Sequence, residues 1–259
     1  MRKFSVIIPH FNEGDELIRT VRSVRIMSAN DVDVIVVDDC SDDGRDYESE
    51  LKKYDVIYKK LDERTGVAGA RDVGVEMCRT PYVLILDAHC RILTQDWDLI
   101  AEQVLNDEPN GVYCCKTRML IPPNKAKLDR FSAGAVSRGK VDYVTSITRD
   151  WSGDNLTQDV PCIIGANYIF AKDWWNRIGG LAELTGTWGC DEALLSVKTY
   201  RAGGVIRCIT KVETAHWYKK TADRTFKVTW DGLRINSDAV KSLDGFDSWM
   251  NYNQNFKTP

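Results

Sequence analysis

Residues 81–91 read Pro81-Tyr82-Val83-Leu84-Ile85-Leu86-Asp87-Ala88-His89-Cys90-Arg91. Val83 to Leu86 have the unbroken apolar character of a strand buried on both faces, and the run stops on an acid with a histidine two residues later. Strands of this kind end at a crevice. In an extended chain residues i and i+2 point the same way, so a carboxylate oxygen of Asp87 and an imidazole nitrogen of His89 could share one cation. The same letters fit an ordinary strand end with a solvated acid and a buried histidine, and the flanking sequence decides between the two.

Upstream, Phe4 to Pro9 reads as a strand closed by a proline that cannot donate to a ladder. A helix is predicted from about Asp15 to Ile26, where Leu17, Ile18, Val21 and Val24 recur at helical spacing. Asp33 to Asp38 is a second buried strand and Val56 to Lys60 a third, and the helix Gly66 to Cys78 delivers the chain to the Val83–Leu86 run. Alternating strands and helices predict an α/β fold with a mostly parallel central sheet and helices on both faces, whose ligands lie beyond the carboxyl ends of the strands.

Downstream, a helix over Asp96 to Asn106 and a strand over Gly111 to Leu120 follow. Pro122 to Asp159 has few periodic signals and many turn residues, and is expected to be an irregular excursion. Order returns with a strand at Pro161 to Phe170, a helix opening at Asp173, and a helix in Thr187 to Ala202 ended by Gly203-Gly204. Val205 to Thr210 is one more strand, and Phe226 to Met250 reads as amphipathic helix.

With 259 residues and 43% hydrophobic content the chain suits a single domain, 1–259. No stretch reaches the roughly 18 apolar residues of a membrane span, and the N-terminus has no cleavage site, so a soluble, unprocessed protein without a membrane partner is expected. Its eight cysteines lack C-x-x-C spacing and several sit in apolar runs, which favours a reducing cytoplasm over a disulfide framework. The net charge of −3 is unevenly spread: residues 1–115 hold 14 Lys and Arg against 23 Asp and Glu, whereas residues 116–150 hold eight basic residues against three acids. That insert (Lys116, Arg118, Lys125, Lys127, Arg130, Arg138, Lys140, Arg149) is either a solvated face or a surface for an anionic acceptor.

Taken in order, VIIPHFNE, LIRTVRSV, VVDDCSDD, GVAGARDVG and LILDAHC resemble the nucleotide-sugar half of GT-A (Rossmann-like) glycosyltransferases of the family 2 type. DAHC, IIGANYIF followed by WWNRIGG, the WGCDE helix start and a late histidine narrow the resemblance to the polypeptide N-acetylgalactosaminyltransferases. The resemblance implies a UDP-sugar donor, a hydroxyl acceptor, a nucleotide-sugar half over 1–115 and an acceptor-side half over 116–259. It makes Asp87 and His89 two metal ligands and His216 the third, for manganese or, alternatively, magnesium. It implies a nucleotide-sugar pocket lined by Pro9, Phe11, Glu13, Asp39, Arg71, Asp87 and Trp188, and an acidic catalytic pair, Asp191 and Glu192. Phe11 stands where the narrower family has histidine. Simpler roles exist for several of these: Glu13 holding its loop, Asp38 capping a turn, Asp191 and Glu192 placing negative charge at a helix N-terminus, Trp188 filling the core.

The acceptor is less legible. Lys219, Lys220, Arg224, Lys227 and Arg234 interleave with Trp217, Tyr218, Phe226 and Trp230, a pattern suited to a phosphate backbone and stacked bases. With the insert at 116–149 it raises DNA carrying a hydroxymethylated base as acceptor, in a compact bacterial or phage enzyme of the cytoplasm, beside a protein Ser/Thr or a saccharide. A non-catalytic nucleotide-sugar-binding module would be expected to have lost a ligand or the acidic pair, and both are present. A nucleotidyltransferase would carry a lysine in the first turn, and His10 to Asp15 has none.

Overall fold

The computed structural model describes residues 2–137, 141, 144–148 and 154–257. The first half alternates as its periodicity requires: β1 (Phe4–His10), α1 (Asp15–Met27), β2 (Asp33–Asp38), α2 (Tyr47–Leu51), β3 (Val56–Lys60), α3 (Gly66–Met77) and β4 (Tyr82–Leu86). There follow β5 (Cys90–Ile92), α4 (Trp97–Asp107), β6 (Gly111–Ile121), β7 (Lys125–Ser132), β8 (Ala135–Ser137), β9 (Val144–Ser146), β10 (Thr157–Asp159) and β11 (Asn167–Ala171). The chain closes with α5 (Lys172–Ile178), α6 (Asp191–Arg201), β12 (Val205–His216), α7 (Trp230–Lys241) and α8 (Phe246–Asn255).

One ten-stranded sheet takes strands from both halves, in the order β10-β12-β6-β11-β4-β1-β2-β3, with β5 beside β12 and β7 beside β6. Strands β3, β2, β1 and β4 are parallel. Beyond β4 the sheet is mixed: β11 runs antiparallel to β4 and β6, whereas β6 and β12 are again parallel to each other. Alternation along β1 sends Ile7 to one face and Val6 and Ile8 to the other. Ile7 joins a core with α3, α6 and α8, through residues such as Ala70, Leu194 and Trp249. Val6 and Ile8 pack with Leu17, Val21 and Val24 of α1 and Trp97, Ala101 and Leu105 of α4. At Gly74 α3 lies so close to β1 that a Cβ would overlap Ile7.

Several elements differ from the sequence expectation. Among its described residues the excursion after Pro122 contains regular structure: β7 folds back antiparallel on β6 and β8 pairs with β9. Both pairings join strands adjacent in sequence, and the turn residues around them hid strands that are short or polar. The Pro161–Phe170 strand shrinks to Asn167–Ala171, and the strand beginning at Val205 runs on to His216 across an irregularity between Ile209 and Glu213. The C-terminal segment is two helices, broken before Gly245, whose φ is +84°. No helix among the described residues is long and apolar enough to cross a membrane, and all eight cysteines are free.

Candidate active site

The parallel strands deliver their C-terminal ends to one rim. Register pairs His10 of β1 with Asp38 of β2, and Ile7 with Ile85 of β4, so Pro9, Asp39 and Asp87 emerge side by side. Asp87, Ala88 and His89 do not continue the strand: Cys90 N donates to Asp87 O at 3.1 Å and closes a tight turn. The two donors therefore converge through that turn and not through the alternation of an extended chain. Thr20 Oγ1 lies 2.7 Å from Ala88 O and 2.8 Å from Cys90 O, holding the turn against α1. The antiparallel pairing of β12 with β5 sets His216 opposite Cys90, and Trp217 N donates to His89 O at 3.2 Å.

Donor atoms of Asp87, His89 and His216 all lie within 4.8 Å of one another. His216 Nε2 is 3.6 Å from Asp87 Oδ2, and both nitrogens of its buried ring lack a hydrogen-bond partner. A buried polar atom without a partner is costly, and a cation bound to the ring relieves that cost. Burial and the neighbouring His89 push His216 down to about 3, against Asp87, so the ring is in the neutral form that ligates. Burial alone would raise Asp87, but Arg71, His89 and His216 outweigh it and bring the carboxyl to about 2. One carboxylate and two imidazoles suit a divalent transition ion better than magnesium, which prefers oxygen alone.

Arg71, from α3, is buried between two acids. Its Nη2 donates to Asp87 Oδ1 at 2.8 Å, and its Nη1 bonds Asp191 Oδ2 at the start of α6. Tyr168 of β11 donates to the same Asp191 oxygen, and the Arg71 guanidinium lies 5.0 Å from its ring centroid. Asp191 is thus held by two donors. Glu192 differs: burial and the adjacent Asp191 push its carboxyl up to about 8. It lies against the backbone of Gly165, where a Cβ would overlap Oε1.

The eleven residues expected at the site, namely Pro9, Phe11, Glu13, Asp39, Arg71, Asp87, His89, Trp188, Asp191, Glu192 and His216, all line one cavity of about 470 Å³. Three of them also make contacts within the chain. Asp39 spends its carboxylate within the chain, accepting from Thr65 N at 2.7 Å, Gly66 N at 3.1 Å and Arg64 Nε at 3.2 Å. The Phe11 ring is covered by the Arg64 guanidinium, 3.6 Å from its centroid. Glu13 faces His89 Nδ1 at 3.2 Å and Lys219 Nζ at 2.6 Å. Asp38 does cap its turn, accepting from Ser41 N at 2.7 Å.

Arg64, Tyr168, Gly165 and Asn236 carried no sequence signal strong enough to single them out, whereas Lys219 and Arg224, read from the sequence as acceptor-side cations, line the same cavity. Arg224 stacks 4.8 Å from the centroid of Trp188. Asn236 of α7 donates to Trp188 O and Gly189 O at 3.2 and 3.0 Å, and accepts from Gly186 N at 2.7 Å, which pins the 186–189 turn over the cavity. The basic insert is partly neutralised, since Arg118 pairs with Glu213 at 2.6 Å. Arg138, Lys140, Arg149 and the side chain of Arg130 lie outside the described residues.

A family model described as glycosyl transferase family 2 matches residues 5–168, more than half of the chain. The chain belongs to glycosyl transferase family 2. This family 2 chain is 26% identical over 234 residues to mouse polypeptide N-acetylgalactosaminyltransferase 16, a match covering 83% of the chain and 40% of the relative. Over 112 residues it is 37% identical to the poly(ribitol-phosphate) beta-N-acetylglucosaminyltransferase TarP of Staphylococcus aureus (strain N315), covering 41% of the chain and 32% of TarP. It therefore spans about 40% or less of the length of these curated relatives. Among solved structures, GalNAc-T7 with UDP, GalNAc and Mn2+ superposes with a TM-score of 0.81 at 18% identity, over 96% of this chain and 50% of that one. S. aureus TarS in complex with UDP-GlcNAc gives a TM-score of 0.60 at 15% identity, over 96% and 70%. These superpositions identify the fold as GT-A.

Proposed function

We propose that this family 2 chain transfers a sugar from a UDP-sugar to a hydroxyl acceptor, with a divalent cation, manganese, held by Asp87, His89 and His216. The observation that carries this reading is the meeting of those three donors at the strand rim, with an imidazole, His216, whose two buried nitrogens no protein group hydrogen-bonds. A cation there supplies the positive charge that a departing diphosphate needs. Arg71 orients Asp87 and Asp191 toward the cavity. Asp191, already paired, shapes the sugar pocket with Trp188, and Glu192 takes the acceptor proton. Pro9, Phe11 and Asp39 frame the uridine side, with Arg64 fixed between Asp39 and Phe11. The relatives transfer, or are solved with, N-acetylated hexosamines, which supports a UDP-N-acetylhexosamine as donor. The bacterial relative and the eight free cysteines support a cytoplasmic setting.

A second reading concerns the acceptor. Trp230, 84% exposed at the start of α7, stands with the exposed Lys220 and Lys227 in the segment that follows the cavity-lining Lys219. An exposed aromatic among cations supports an anionic acceptor such as DNA with a hydroxymethylated base, which must leave the stack to be modified. Protein hydroxyls and saccharides are the competing acceptors.

The experiment is to incubate the protein with Mn2+ and a panel of UDP-sugars and follow UDP release, first alone and then with hydroxymethylated DNA, peptides or glycans. Release that a chelator abolishes is expected; no release from any UDP-sugar would overturn the enzymatic reading. Duplex binding that fails to weaken as salt rises would remove DNA as acceptor.

A further inference from the structure

We infer that Glu13 is a positioning residue for metal binding: its carboxylate holds His89 as the Nδ1–H tautomer, so that Nε2 is left to face the site shared with Asp87 and His216. This rests on the metal reading proposed above and assigns Glu13 a role away from the nucleoside. Glu13 Oε2 lies 3.2 Å from His89 Nδ1 and 2.6 Å from Lys219 Nζ. The contact is shielded, with the Glu13, His89 and Lys219 side chains only 7%, 17% and 9% exposed.

An ionised carboxylate accepts hydrogen bonds and donates none. The Lys219 ammonium at 2.6 Å keeps the Glu13 carboxylate an acceptor, so the hydrogen between Glu13 and His89 is donated by the ring. That assigns the tautomer. Without an acceptor at Nδ1 the imidazole can carry its proton on Nε2, which then cannot ligate. The second contact adds to this. Lys219 follows His216 by three residues, so the same carboxylate anchors the end of β12, which carries the third donor. Glu13 thereby ties two ligand-bearing segments, distant in the chain, to the turn before α1. A carboxylate behind a metal-binding imidazole fixes ring orientation and raises basicity, and its loss typically costs about 10- to 100-fold in metal affinity.

The test measures Mn2+ affinity by electron paramagnetic resonance, with and without UDP, in the natural protein and in Asp87→Ala, Glu13→Ala and Glu13→Gln. Imidazole 15N spectra of the metal-free protein, recorded above the pH range in which histidine titrates, report the tautomers of its three histidines. Expected are Mn2+ binding by the natural protein, its loss in Asp87→Ala, an affinity reduced about 10- to 100-fold in Glu13→Ala, and a smaller loss in Glu13→Gln, whose carbonyl still accepts. His89 should carry its proton on Nδ1. Natural affinity in Glu13→Ala while Asp87→Ala has lost binding overturns the inference alone, as does Glu13→Gln binding as weakly as Glu13→Ala. A natural protein that takes up no Mn2+ overturns the metal reading and this inference with it. If Glu13→Ala does not fold, the spectrum of the natural protein decides, and a proton on His89 Nε2 overturns the assignment.

Discussion

Gly165 leaves the space that Glu192 fills: a Cβ at residue 165 would overlap the Oε1 of that carboxylate. The contact joins the segment leading into β11 to the first turn of α6. It makes Glu192 sensitive to a single methyl group placed on a different element.

Gly165→Ala should therefore push the Glu192 carboxylate out of place, and a misplacement of about 1 Å can cost on the order of 100-fold in turnover. UDP-release kinetics check this beside a thermal melt. A variant with natural kcat would show that Glu192 has no positional demand.

The pH dependence of Glu192 has a definite sign. Its carboxyl rises from 4.5 to about 8 on folding, through burial and Asp191, so the folded chain binds the proton more tightly than the unfolded one. This group's contribution to stability is complete below pH 4.5 and is lost as pH climbs toward 8. Denaturant midpoints should fall across that window more in the natural protein than in Glu192→Gln. The base role proposed for Glu192 requires it ionised, so kcat/KM should rise with pH through about 8. A flat profile there would exclude it as the base.

Arg71 is the sole cation in contact with both Asp87 and Asp191 among the described residues. Arg71→Met leaves the buried Asp191 and the partly buried Asp87 without their counter-ion, and breaking a buried pair typically costs about 3–5 kcal/mol. Arg71→Lys should recover only part of it, because one ammonium cannot reproduce a two-pronged bridge. Urea denaturation checks both, and an Arg71→Met protein of natural stability would contradict the bridge.

Asn236 is almost completely buried and serves three backbone groups of residues 186–189. Asn236→Leu should strand those groups at about 1–3 kcal/mol for each one left unsatisfied and free Trp188 from its position over the cavity. A lower melting temperature together with a higher KM for the UDP-sugar is expected. Unchanged KM would detach α7 from the donor site.

Asp87→Ala removes the one carboxylate of the proposed metal site, and UDP release should fall below detection whatever the Mn2+ concentration. Undiminished turnover in that variant would refute the metal assignment.

The α/β order and the rim were legible because periodicity is local. Val83–Leu86 announces a buried strand, and the first three strands and their helices announce parallel neighbours. Asp87 and His89 were legible for the same reason, although a turn and not strand alternation brings them together. The polarity of residues 122–159 concealed β7, a hairpin partner of β6 whose alternation breaks where the register shifts between the Met119–Lys127 and Arg118–Phe131 pairs.

The chain's own order of residues determined which groups stand at the ends of strands, and hence the list from which a site could be drawn. Only the tertiary structure decided how those groups are used. It set His216 opposite Cys90, turned Glu13 toward His89, committed Asp39 to Thr65 and Gly66, and separated the ion-paired Asp191 from Glu192. The reason is physical: strand and helix follow from interactions a few residues apart, whereas the partner of a charge depends on which distant segment packs beside it and on how much water that packing removes.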